Sequence, residues 1–322
     1  MKLTNRRVAL RQFCIGATSL VAGTACERIG ARLDTSIRSS TPPLKAEPVL
    51  TKPIATTGEA VPVIGMGTWQ TFDVGTAPGE RKPLEEVLAE FSQAGGKLVD
   101  SSPMYGNSEA VVGDLSAKLG LRQKLFIATK VWIEGATAGV RQMEESMRKL
   151  RADPIDLMQV HNLVDVDTQL QTLTEWQSRG RVRYIGVTHY TAAAYDAVAR
   201  VITSHKLDFL QLNYSVKERE AERRLLPMAK ERGIAVIANR PFAGGELFRR
   251  LAGKPIPTWA AEIDCSSWSQ LMLKFVISHP AIICAIPATS KVEHLRDNMK
   301  VGFGRLPDAK LRLRIADELA DY

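Results

Sequence analysis

Three apolar runs in this chain end on side chains that can move or steer a proton. Leu98-Val99 ends on Asp100, and a Ser101-Ser102-Pro103-Met104 turn then leads to Tyr105 and Gly106. Leu125-Phe126-Ile127-Ala128-Thr129 ends on Lys130, and the run from Ile155 to Val160 ends on His161. A tyrosine titrates near pH ~10 and is a poor general acid or base at neutral pH unless its surroundings help. A nearby ammonium group stabilises the phenolate and lowers that pKa, while a carboxylate beside the ammonium keeps it charged and fixes its position. A histidine on a neighbouring strand end can hydrogen-bond a substrate oxygen and help the tyrosine proton move. Asp100, Tyr105, Lys130 and His161 would together make a proton donor aimed at a polarised carbonyl. No side chain supplies a hydride, so a reduction there needs a redox cofactor. Taken singly, Asp100 and Lys130 also read as a buried ion pair, Tyr105 as a loop aromatic and His161 as a core histidine. Their joint spacing favours the chemistry.

For these groups to meet, each run must be a strand that delivers its last residue to one common end. Leu50-Thr51-Lys52 and Ala60-Val61-Pro62 flank Thr57-Gly58-Glu59, a hairpin signal. A first strand follows over Val63–Trp69. Short apolar runs at 97–100, 125–130, 155–161, 182–188, 208–213, 234–239 and 281–287 then alternate with helical patterns. Those patterns span Pro83–Gln93, Ser108–Leu119, Gly139–Leu150, Thr168–Arg179, Thr191–Ile202, Ala221–Arg232, Ser267–Ser278 and Val292–Val301. Gly95, Gly96, Gly120, Gly180 and Gly233 stand where helices stop. Strand–helix alternation over about 250 residues predicts an α/β chain folded as a (β/α)8 TIM barrel over 49–322, with a short N-terminal β-hairpin. A doubly wound sheet is the rival, but no G-x-G-x-x-G follows any strand. The charged runs Lys217–Arg224 and Lys310–Arg314 read as solvated faces.

Of the formal charge of +8, residues 1–40 hold +5, from seven Lys/Arg against Glu27 and Asp34, so the remainder carries only +3. No basic helix interleaved with aromatics appears, which argues against a nucleic-acid partner. Residues 1–26 read as a signal segment: Arg6-Arg7 with Leu10 and Arg11, then a weakly apolar stretch from Phe13 to Ala25 too short and too polar for a stable membrane span. The paired arginines resemble a twin-arginine signal, and the expectation is export to the periplasm by that machinery. Cleavage is expected after Ala25, with Cys26 as an alternative lipid-anchor site, and residues 27–48 read as a linker. Cys265 and Cys284 have no metal-type spacing, and no metal site is expected.

The motifs combine into a resemblance. Gly65-Met66-Gly67-Thr68-Trp69, Val99-Asp100-Ser101-Ser102-x-x-Tyr105-Gly106-Asn107-Ser108-Glu109, Ala128-Thr129-Lys130, Gln159-Val160-His161 and Ile286-Pro287-Ala288-Thr289-Ser290-Lys291 together resemble the aldo-keto reductases, from about residue 50 to 303. The resemblance implies NADPH-dependent reduction of small aldehydes or ketones. Tyr105 would be the general acid, Lys130 and Asp100 its tuning pair, and His161 the group that orients the carbonyl. Thr188-His189 stands where the family often has Ser-Asn on the nicotinamide amide, and Gln211 matches the next amide-binding position. Asn239 takes the place of a commonly stacking aromatic, a role that Phe242 could share. Arg240 counts among the cofactor-binding residues, and the backbone of Ala243-Gly244-Gly245 would approach a pyrophosphate. Ser290 and Lys291 would favour a phosphate ester, hence NADP(H) over NAD(H), and Asn298 matches the adenine position. Trp69 and Trp132 would wall the substrate pocket. A monomer is expected. The runner-up is a catalytically weak NADP(H)-binding sensor or accessory subunit on the same barrel.

Overall fold

Residues 48–322 are described by the computed structural model. Arg6, Arg7, Cys14, Ala25, Cys26 and the linker as far as residue 47 lie outside the described residues. The chain enters through β1 (Thr51–Pro53), turns over Gly58, whose φ is 76°, and pairs antiparallel with β2 (Ala60–Pro62). Positive φ is the reason for glycine at that turn. Ile54 and Val61 of this hairpin are buried against Leu98, Phe126, Tyr184 and Phe209.

An eight-stranded sheet follows, in sequence order. It consists of β3 (Met66–Gly67), β4 (Leu98–Asp100), β5 (Phe126–Val131), β6 (Ile155–His161), β7 (Val182–Thr188), β8 (Phe209–Asn213), β9 (Ala235–Asn239) and β10 (Ile282–Ala285). All the pairings are parallel. The sheet closes where Gly65 N–H donates to Ala285 O at 2.9 Å, Ala285 N–H to Val63 O at 2.9 Å and Gly67 N–H to Pro287 O at 3.1 Å. The expected first strand, Val63–Trp69, is regular only at Met66–Gly67, because its other contacts are isolated bridges at the seam.

Side chains alternate across each strand, so every second residue enters the barrel. Phe126, Ala128 and Lys130 share one face of β5, as Leu157, Gln159 and His161 do on β6. The apolar members form the interior cluster, and the polar ones sit one layer nearer the C-terminal ends. Outward residues such as Val99, Ile127, Met158, Val160 and Leu210 pack in the outer core under the helices.

The helices are α1 (Pro78–Gln93), α2 (Ser108–Lys118), α3 (Ala136–Leu150), α4 (Val166–Ser178), α5 (Tyr195–Ser204), α6 (Leu225–Glu231), α7 (Glu246–Arg250), α8 (Trp268–Ile277), α9 (Val292–Lys300) and α10 (Ala309–Ala320). α1 starts at Pro78 rather than the expected Pro83. Pro78 opens the helix, where a missing N–H costs nothing, while Pro83, its sixth residue, gives up the hydrogen bond that its N–H would make to Gly79 O. α7 and α10 are additions to the sequence reading. α10 buries Ile315 and Leu319, and Arg312 departs from the expected solvated face. Its side chain is 13% exposed, and it donates to Phe275 O, to Tyr214 Oη at 2.6 Å and to Glu222 Oε1 at 3.1 Å. Glu222 is thereby drawn out of the other charged run into the same network.

Candidate active site

Asp100 and Gln211 lie on β4 and β8, strands that are not neighbours in the sheet, yet Gln211 Nε2 donates to Asp100 Oδ1 at 2.8 Å. Only the barrel lumen lets such side chains meet. Lys130 Nζ, fully buried, donates to Asp100 Oδ2 at 2.6 Å and to Ser101 O at 2.6 Å. The same ammonium stands 4.9 Å from the centre of the Tyr105 ring. Tyr105 in turn meets the His161 ring edge-on at 6.0 Å. The four residues expected to act together are therefore one cluster at the C-terminal mouth.

The loop carrying Tyr105 is pinned on both sides. Tyr105 N–H donates to Ser102 O at 3.0 Å, and Asn107 N–H donates to Asp73 Oδ1 at 2.9 Å. Gly106 has φ 58°, and a Cβ there would lie 2.2 Å from Asp73 Oδ1. Thr68, buried at the end of β3, places its Oγ1 3.0 Å from both Asp100 O and Ser101 Oγ, with one proton to give the carbonyl and lone pairs for the serine hydroxyl.

Burial is the largest influence on Tyr105 and raises its pKa. Lys130 pulls in the expected downward direction but does not prevail, and Asp100 adds to the rise. Tyr105 is therefore held as the neutral phenol, the form that can donate. Burial opposes charge on Lys130, but Asp100 and Tyr105 outweigh it and hold the ammonium above the ordinary lysine value. His161 is pushed down to about 3 by burial, with Lys130 and His189 adding to it, so the ring is neutral.

The residues expected around a dinucleotide adjoin this cluster. Thr188 Oγ1 donates to Gln211 Oε1 at 3.1 Å, and Asn239 Nδ2 reaches His189 O at 3.3 Å and Gln211 Oε1 at 3.4 Å. Gln211 is thus spent on Asp100 as well as on its expected neighbours. Among the described residues Asn239 Oδ1 is buried with no partner, an acceptor suited to a carboxamide N–H. Further along, Phe242 packs on Phe248 at 4.9 Å, and Gly244 and Gly245 both take positive φ. Arg240 Nη2 lies 3.7 Å from Glu218 Oε1, and its buried Nε is unpartnered among the described residues. No side chain caps α9, so Ser290 and Lys291, both exposed, leave its first N–H groups available. Asn298 is buried on the same helix.

Trp132 lies 6.4 Å from the His161 ring, ring centre to ring centre, while Trp69, 49% exposed, makes no ring pairing with the cluster among the described residues. Sequence reasoning quoted Gln159 in a motif but gave it no role, and it donates to Asp100 Oδ1 at 3.4 Å. Its place two residues before His161 on one strand face was the available signal. It also gave no role to Ser102, Asp73 or Asp165. Asp165 accepts Gly135 N–H at 2.8 Å and ties down the loop after Trp132.

A family model described as "Aldo/keto reductase family" matches residues 63–313. Methylglyoxal reductase YeaE of Escherichia coli (strain K12) is 28% identical over 261 residues, covering 79% of this chain and 90% of that protein. Aldo-keto reductase YhdN of Bacillus subtilis (strain 168) is 32% identical over 202 residues, 57% of this chain and 59% of that one. An aldo-keto reductase from Klebsiella pneumoniae, solved in complex with NADPH, superposes with a TM-score of 0.71 at 23% identity, covering 84% and 95% of the two chains. That likeness speaks for the fold; the sequence match carries the kinship. The chain belongs to the aldo/keto reductase family and is an oxidoreductase of that type.

Proposed function

We propose that this chain reduces small aldehydes or ketones to alcohols with NADPH, and that Tyr105 is the general acid. The observation that carries the reading is the fully buried Lys130, shared between Asp100 and Ser101 O and set against the Tyr105 ring. When bound, NADPH supplies the hydride that adds to the carbonyl carbon. Tyr105 Oη gives its proton to the carbonyl oxygen, and the Lys130 ammonium stabilises the phenolate left behind. His161 Nε2 holds the carbonyl oxygen in line. Thr188, Gln211 and Asn239 would hold the nicotinamide amide, the unpartnered Asn239 Oδ1 being the acceptor that fits it. Gly244 and Arg240 would meet the pyrophosphate, and Ser290 with Lys291 a phosphate ester, which supports NADPH over NADH. The name of the Escherichia coli relative supports a small carbonyl substrate such as methylglyoxal.

Loss of NADPH absorbance with methylglyoxal and an aromatic aldehyde, run beside NADH, tests this. Tyr105→Phe is expected to lower kcat by about a hundredfold or more while NADPH binding, read by tryptophan fluorescence, persists. Tight binding without turnover across a carbonyl panel would favour a dinucleotide-binding sensor instead. Absence of binding would overturn both readings.

A further inference from the structure

We infer that Ser102 is a positioning residue that fixes the tautomer of His161, placing the ring proton on Nε2, toward the substrate carbonyl. Ser102 is fully buried, and its Oγ lies 3.1 Å from His161 Nδ1. Met104 N–H donates to the same Oγ at 3.3 Å. With a lone pair taken by Met104, the hydroxyl proton needs an acceptor, and among the described residues His161 Nδ1 is the one in reach. Nδ1 can accept only if it carries no proton, so a neutral ring must hold its proton on Nε2. Burial and the Lys130 ammonium keep the ring neutral.

One turn thus sets two groups. Ser102 O accepts Tyr105 N–H while Ser102 Oγ donates to His161, so the proton donor and the orienting ring are registered against the same residue. His161 then offers the carbonyl oxygen one hydrogen bond and gives up no proton. The proton that completes the alcohol comes from Tyr105 Oη alone, with the hydride from NADPH. This inference rests on the reductase reading, but its first readout does not.

Long-range proton–nitrogen correlation spectra of the full chain report histidine tautomers directly, with His161→Gln identifying the signal. His161 is expected as the neutral Nε2–H form near neutral pH, and Ser102→Ala is expected to yield a mixture of tautomers. Turnover in Ser102→Ala should fall about tenfold or more with NADPH affinity unchanged, and Ser102→Thr, which keeps the hydroxyl, should restore both. A wild-type ring protonated on Nδ1, or an unchanged tautomer in Ser102→Ala, would overturn the assignment. If Ser102→Ala does not fold, the wild-type spectrum alone decides. A correct tautomer in a protein without NADPH turnover would instead overturn the reductase reading.

Discussion

His161 and Tyr105 are both moved away from the pH range in which an enzyme usually works. Burial drives the imidazole down to about 3 and the phenol up, each toward its neutral form. A rate limb set by either group would therefore fall outside the range from about pH 5 to 8. The kcat profile is expected to be flat there, and a limb near pH ~6.5 would mean that His161 titrates during turnover. Stability behaves differently. The unfolded chain protonates this histidine near pH ~6.5 while the folded chain does not, so the unfolded state binds more protons as pH falls. The contribution of His161 is full above that value and is lost as pH falls toward about 3, by about 1.4 kcal/mol per pH unit. Urea titrations at successive pH values, compared with His161→Gln, read that slope.

At the scale of elements, the site depends on where strands stop and how the next loop is held. Asp100, Lys130 and His161 were legible because each closes an apolar run, and strand parity sends all three into the lumen. Ser102 and Asp73 were not legible in this way. Ser102 meets β6 and Asp73 meets the Tyr105 loop across long sequence separations, and such pairings follow from barrel closure rather than local pattern. Gly106 shows the constraint most directly, since its φ of 58° is left-handed and a Cβ would strike the Asp73 carboxylate. Gly106→Ala is expected to cost about 1–2 kcal/mol through the backbone alone and to lower kcat by displacing Tyr105. Asp73→Ala alone loses the pin on Asn107 N–H, so the test is a cycle: in the Asp73→Ala background Gly106→Ala should cost less in kcat but the same backbone energy. An equal kcat penalty for Gly106→Ala with and without the Asp73 carboxylate would show that the carboxylate is not the obstacle.

For the whole molecule, the eightfold alternation was readable because its period is set by the chain itself, whereas the fastening of the floor was not. The hairpin signal around Gly58 was plain in sequence, but nothing local showed that Lys52 would leave it to reach three carbonyls. Lys52 Nζ donates to Ile277 O at 2.6 Å, His279 O at 3.0 Å and Ile282 O at 2.6 Å, joining the hairpin to the end of α8 and the start of β10. Those acceptors would be left wanting by Lys52→Met, which keeps the apolar stem, and the expected loss is about 1–3 kcal/mol near neutral pH. Burial, with Arg312 adding to it, lowers the Lys52 pKa to about 8. Above that pH the folded chain releases a proton that the unfolded chain keeps until about 10.4. The unfolded state then binds more protons, so wild type gains stability relative to Lys52→Met as pH rises through this window. Comparing the two stability curves cancels the tyrosines, whose raised values act in the opposite direction at higher pH. A constant gap from pH 7 to 10 would show that Lys52 stays charged, and no gap at all would show that the floor is held by its apolar plug, Ile54 and Val61, without the lysine.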